Sequence, residues 1–138
     1  MVCALVGAVA LAGIGGAALL LRGPAPTPAG TVVPSARGVF RVSYDTSLHP
    51  IPINTMHTWT VHLADANGRP VTDATIQISG DMPGHGHGLP TAPRARSLGG
   101  GDYALEGMQF QMSGDWYVDL EIEAAGKADT LRIDFTIT

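Results

Sequence analysis

Nitrogen and sulfur donors are concentrated in one short stretch of this chain, Gly80-Asp81-Met82-Pro83-Gly84-His85-Gly86-His87-Gly88-Leu89-Pro90-Thr91. His85 and His87 stand at i and i+2 around a single glycine, so in an extended segment their imidazoles point the same way. The flanking glycines let the backbone bend close to a bound ion. Met82 offers a thioether shortly before His85. Met112, which with Met108 brackets Phe110, offers another further along. Imidazole combined with thioether suits copper, Cu(I) above all, better than zinc, calcium or magnesium. Zinc more often recruits cysteine or carboxylate beside histidine. The candidate metal ligands are therefore His85, His87, Met82 and Met112, and the expected cofactor is a copper ion. The same residues also have plainer uses. Histidine and glycine serve as polar turn formers, Pro83 and Pro90 as stiffeners, and methionine as a core filler. Met112 shares its parity with Trp116, which is a reason to expect it buried.

The remaining histidines carry less. His49 lies in a proline-rich turn, Leu48-His49-Pro50-Ile51-Pro52. His57 shares parity with Trp59 and reads as a buried, hydrogen-bonded residue at a strand entrance, whereas His62 should face solvent. No catalytic residue is assigned. No serine has a nucleophile's context, and no phosphate loop or dinucleotide fingerprint occurs. Glu121 and Glu123 fall on the wet face of a strand. The chain is accordingly expected not to be an enzyme.

The donors must be held by strands, because the hydrophobic period from Gly38 onward is two. Phe40, Val42 and Tyr44 alternate with polar neighbours, as do Trp59, Val61 and Leu63, then Ala74, Ile76 and Ile78, then Tyr103 and Leu105. The clearest runs are Trp116-Val118-Leu120-Ile122 and Leu131-Ile133-Phe135-Ile137. Such alternation puts one face on a core and the other in water. Asn67-Gly68-Arg69-Pro70, Gly99-Gly100-Gly101-Asp102 and Ala125-Gly126-Lys127 supply the turns. Six strands, with a short seventh near Arg94–Leu98, predict an all-β fold. The form expected is an antiparallel sandwich of immunoglobulin-like proportions, two sheets burying their apolar faces against each other.

Ahead of this body the composition changes. Val2–Leu21 carries no charge and would span roughly 30 Å as a helix, enough to cross a bilayer core. It is read as an N-terminal transmembrane helix, an uncleaved anchor over residues 1–22 in preference to a removed signal. Residues 23–37, with Pro24, Pro26, Pro28 and Pro34, form a semi-rigid tether, and residues 38–138 form the domain. Arg22 follows the apolar run and no basic residue precedes it, which taken alone would hold that side in the cytoplasm. A folded module behind a proline-rich tether is the layout of an exported domain, so a single-pass inner-membrane protein with its domain in the periplasm is expected. The body holds all 12 acidic residues against six basic ones and so repels polyphosphate; nucleic acid is an unsuitable partner. The one cysteine, Cys3, lies in the apolar run, so the body has neither a disulfide nor a thiolate metal site.

Several segments then follow in a specific order. Gly68-Arg69-Pro70-Val71 leads to Ala74-Thr75-Ile76, then to Met82-Pro83-Gly84-His85-Gly86-His87-Gly88-Leu89-Pro90-Thr91. After these come Gly101-Asp102-Tyr103 and Phe110-Gln111-Met112-Ser113-Gly114-Asp115-Trp116. That order resembles the YtkA-like and FixH-like families of membrane-anchored bacterial exported domains over most of residues 55–138. The resemblance implies an immunoglobulin-like sandwich outside the cytosol, associated with copper handling or with maturation of copper-containing respiratory enzymes. It supplies no reaction. Carried over residue by residue, it points to Met82, His85, His87 and Met112. The short, charge-poor N-terminus departs from longer FixH-type layouts. The expected function is that of a membrane-tethered copper-binding or copper-transfer accessory protein. Its expected partners are the membrane and a membrane copper enzyme or its assembly machinery. Two rivals are a metal-independent interaction module docking on a membrane complex, and a pH-responsive sensor using the same histidines.

Overall fold

The computed structural model describes residues 30–138, and these are all strand, turn and loop with no helix. The apolar run Val2–Leu21 and residues 23–29 of the expected tether lie outside the described residues. Eight strands follow in order: β1 (Val32–Pro34), β2 (Phe40–Thr46), β3 (His57–Asp65), β4 (Thr75–Asp81), β5 (Arg94–Gly99), β6 (Asp102–Met108), β7 (Gly114–Ala124) and β8 (Lys127–Ile137). They form two antiparallel sheets, ordered β1-β2-β3-β6-β5 and β4-β7-β8. Leaving β1 aside, that order is the seven-strand immunoglobulin constant-type plan.

The alternation seen in the sequence is the physical cause of the layering. On β7, Trp116, Val118, Leu120 and Ile122 are buried. On β3, Trp59, Val61 and Leu63 lie in the same core. Polar residues between them stay on the outer faces, where Arg132 forks onto Asp119 at 2.7 Å and lies 3.8 Å from the Tyr117 ring centre.

The sandwich begins earlier than the expected boundary at residue 38. Val32 and Pro34 pair with Ser43 and Arg41 on β2, and Ser35 donates its hydroxyl to Asp129 at 2.6 Å. Residues 32–37 are therefore part of the fold, because β2 is an edge that can accept a proline-bearing partner.

The two-sheet plan also decides where the loops lie. β4 and β5 belong to different sheets, so residues 82–93 must cross from one to the other. β6 and β7 also lie in different sheets, so residues 109–113 must cross back at the same end. The β2–β3 connection, residues 47–56, closes that end too, since His57 pairs with Met108 and the Asn54 N–H donates to the Phe110 carbonyl at 2.8 Å. Beneath the three loops Phe110 fills the core, with ring centres 5.1 Å from both Trp116 and Phe135 and 6.1 Å from Trp59. Edge-to-face aromatic contacts of this kind make a stiff floor.

Candidate metal centre

The histidine loop is anchored at its base. Asp81 and Gly88 form an isolated antiparallel bridge, and the Leu89 N–H donates to the Gly80 carbonyl at 3.2 Å. Between these anchors the His85 N–H reaches the Met82 carbonyl at 3.1 Å, closing a turn. Gly86 sits at φ 67°, a left-handed conformation that glycine adopts without a steric penalty. The expectation of an extended His85–His87 stretch is thereby corrected: the chain turns between them. The two imidazoles still meet, with ring centres 5.7 Å apart at an interplanar angle of 62°. His85 is exposed and His87 half-buried.

The two thioethers part company. Met82 is buried in the core, and a Cβ at Gly114 would come within 3.0 Å of its methyl carbon. Its parity with Ile76, Ile78 and Gly80 continues the inward face of β4, which was readable in the sequence. Met112 is exposed, despite its parity with Trp116. Its carbonyl accepts the Trp116 indole N–H at 3.0 Å, which fixes the backbone and leaves the side chain outside. The structure therefore places Met112 on the surface and withdraws Met82 from it.

Gln111, between Phe110 and Met112, joins the two crossing segments. Its carboxamide nitrogen lies 3.2 Å from His87 Nδ1 and 3.2 Å from the Gly88 carbonyl oxygen. With the amide donating, Nδ1 accepts and the ring proton sits on Nε2. The carboxamide oxygen Oε1 is buried and has no hydrogen-bond partner. It is an idle acceptor in the very group that touches His87. The only signal for it in the sequence was an amide side chain next to Met112, in the segment read for its sulfur.

The other histidines separate cleanly. His57 is buried as expected: Nε2 accepts the Trp59 indole N–H at 3.0 Å, and Nδ1 faces the Thr55 carbonyl at 3.0 Å. His49 is exposed, 2.9 Å from Asp45 Oδ1. His62 departs from expectation. It does not stand in solvent; its Nδ1 is 2.7 Å from Asp102 Oδ1 and both side chains are largely covered. The cause is register, since His62 lies directly opposite Asp102 across β3 and β6. Among the described residues no group of three or more His, Cys, Asp or Glu side chains gathers in a way that could hold a metal ion. Any centre at the loop thus rests on the two imidazoles plus donors of another kind.

Residues 30–121 match the model of the YtkA-like family. Among solved structures, the chain is similar to a DUF4426 family protein of Pseudomonas aeruginosa PAO1. The two share 21% identity with a TM-score of 0.56, over 78% of this chain and 93% of that one. A likeness at that identity concerns the fold alone. Among curated proteins none matches.

Proposed function

Since this chain belongs to the YtkA-like family, we propose that it is a membrane-tethered, periplasmic copper-binding or copper-transfer accessory protein of the inner membrane, akin to FixH-like proteins and not an enzyme. His85 and His87 supply imidazole nitrogens and Met112 supplies sulfur. Met82, the fourth candidate, becomes a ligand only if it leaves the core. The observation that carries the reading is the spacing of the two rings. A metal–nitrogen bond of about 2.0 Å puts each ring centre about 3.2 Å from the ion, so two imidazoles on one ion stand at most about 6.4 Å apart. The observed 5.7 Å lies inside that bound.

The donor chemistry agrees. The crossing segments 82–93 and 109–113 together offer imidazole and the Met112 thioether without carboxylate, the set that favours Cu(I) over harder cations. A ligating imidazole carries its remaining proton on the other nitrogen and needs an acceptor there. If Gln111 turns its amide over, Oε1 meets that need at His87 Nδ1 and leaves Nε2 for the ion. An exposed glycine-rich turn also permits the ligand exchange that transfer to a membrane copper enzyme or its assembly machinery requires.

The test is Cu(I) titration of the full chain in detergent against the His85→Ala/His87→Ala chain. The double variant should bind at least about a hundredfold more weakly, since losing a ligand costs more than losing its hydrogen-bonded support. Equal affinity in the two chains removes the copper reading. A metal-independent docking module is the second reading, favoured by the exposure of Leu48, Ile53, Met56 and Met112 on the same end. A partner retained in full strength under chelation selects it.

A further inference from the structure

The three loops that close the histidine end share a property that no single one of them reveals. Residues 47–56, 82–93 and 109–113 contain no Asp, Glu, Lys or Arg at all. The rest of the domain is strongly acidic, and the connections at the opposite end carry Arg37, Arg69 and Asp73. The nearest charges belong to the strand ends: Arg94 at the start of β5 is exposed, and three carboxylates are tied down. Asp45 faces His49, Asp81 accepts the Met82 N–H, and Asp115 accepts the Thr136 hydroxyl. On this neutral end stand Met56, 62% exposed, with Met112, Ile53 and Leu48 at 36–40%.

A second observation says what this end faces. β1 runs antiparallel to β2 with Val32 opposite Ser43. Gly30 lies against the Tyr44 carbonyl, so closely that a Cβ there would collide with it. The chain therefore enters the fold beside the end of β2, where residues 47–56 begin. The described chain thus begins on the histidine side of the sandwich and not at the charged end. Only residues 23–29 separate Gly30 from Arg22 and the apolar run, and at full extension they reach about 25 Å.

We infer that the uncharged end is a lipid-docking surface that rests on the headgroup–acyl boundary of the membrane in which the chain is anchored, with Met56, Met112, Ile53 and Leu48 as the inserting side chains. The inference rests on the membrane-anchor part of the proposed function. Loops without acidic or strongly basic side chains lose little charge solvation when they leave water, whereas the charged end would lose a great deal. The short tether keeps this surface at high effective concentration beside the bilayer, so weak interfacial affinity is enough to hold it there. His85 and His87 then lie at the membrane side of the domain, where they meet membrane-embedded partners in preference to soluble ones.

The experiment uses the full chain in vesicles of zwitterionic phosphatidylcholine, with Cys3 replaced by alanine and one fluorescent thiol label at position 56, 112 or 126. Labels at 56 and 112 should be quenched several-fold more strongly by lipid-borne quencher than the label at 126, and shielded from aqueous quencher. Met56→Asp should abolish the lipid quenching at 112. Equal, aqueous-type quenching at all three positions in a chain that floats with the vesicles overturns the inference and leaves the anchor intact. Failure to float overturns both. Shielding at 56 that appears only on dimer formation, without lipid quenching, assigns the surface to a second copy and also overturns it. Loss of copper binding in the His85→Ala/His87→Ala chain, with lipid quenching unchanged, supports the docking surface as a separate property of this end.

Discussion

The two ends of the sandwich solve the problem of polar groups in opposite ways. At the end away from the histidines, the Asp129 carboxylate is buried and both of its oxygens are hydrogen-bonded. It accepts from the Ser35 hydroxyl and from the backbone N–H groups of Arg37, Val39 and Thr130, at 2.6 to 3.3 Å. The Arg37 guanidinium adds a bond to the Ala128 carbonyl. At the histidine end the Gln111 oxygen has no partner, and His85 and Met112 face outward. A saturated network fixes the chain to itself, while an unsaturated one leaves valences for something else. Stability and chemistry are thus assigned to different ends of one small domain.

Five variants test that division, from the largest effect to the smallest. Trp116→Ala removes part of the aromatic floor under the loops and should cost about 3–5 kcal/mol in denaturant unfolding. A loss below 1 kcal/mol would mean that the floor does not support that end. Met82→Ala should cost about 2–4 kcal/mol, as a buried methionine does; a surface-like value would return Met82 to the list of accessible ligands. Asp129→Asn should lower Tm by roughly 5–10 °C. The Ser35 hydroxyl foremost, with the backbone N–H groups of Arg37, Thr130 and Val39 and against the effect of burial, holds the Asp129 carboxyl at about 2, below its ordinary 3.8. Its contribution is therefore complete above about pH 4.5 and disappears as pH falls toward 2. The Asn variant should lose that part of the acid dependence, and an unchanged pH profile would count against the network. Met112→Ala and His85→Ala/His87→Ala should each change stability by no more than about 0.5 kcal/mol. A larger cost would show that the histidine end is structural after all.

Much of the fold was legible because burial follows a period of two. Trp116, Val118, Leu120 and Ile122 announced β7 and its inward face, and Arg94–Leu98 was found although β5 has little buried surface. β1 was not legible: Val32-Val33-Pro34 is too short to show a period and sits among prolines that read as a tether. At the site, the turn at Gly86 and the bridge between Gln111 and His87 depend on which segments cross between sheets, and local spacing contains no record of that. His62 shows the same limit. Its parity pointed outward correctly, but its burial against Asp102 came from the neighbouring strand's register.

Pro34 has an effect beyond extending the sheet. Its nitrogen carries no hydrogen, and the strand it belongs to has only three residues. An added ninth strand would find too few donors on that flank to lay down a ladder. Many copies crowded on one surface can therefore stand side by side without zipping together through that margin, and the molecule is protected from amyloid-type growth there by one imino acid.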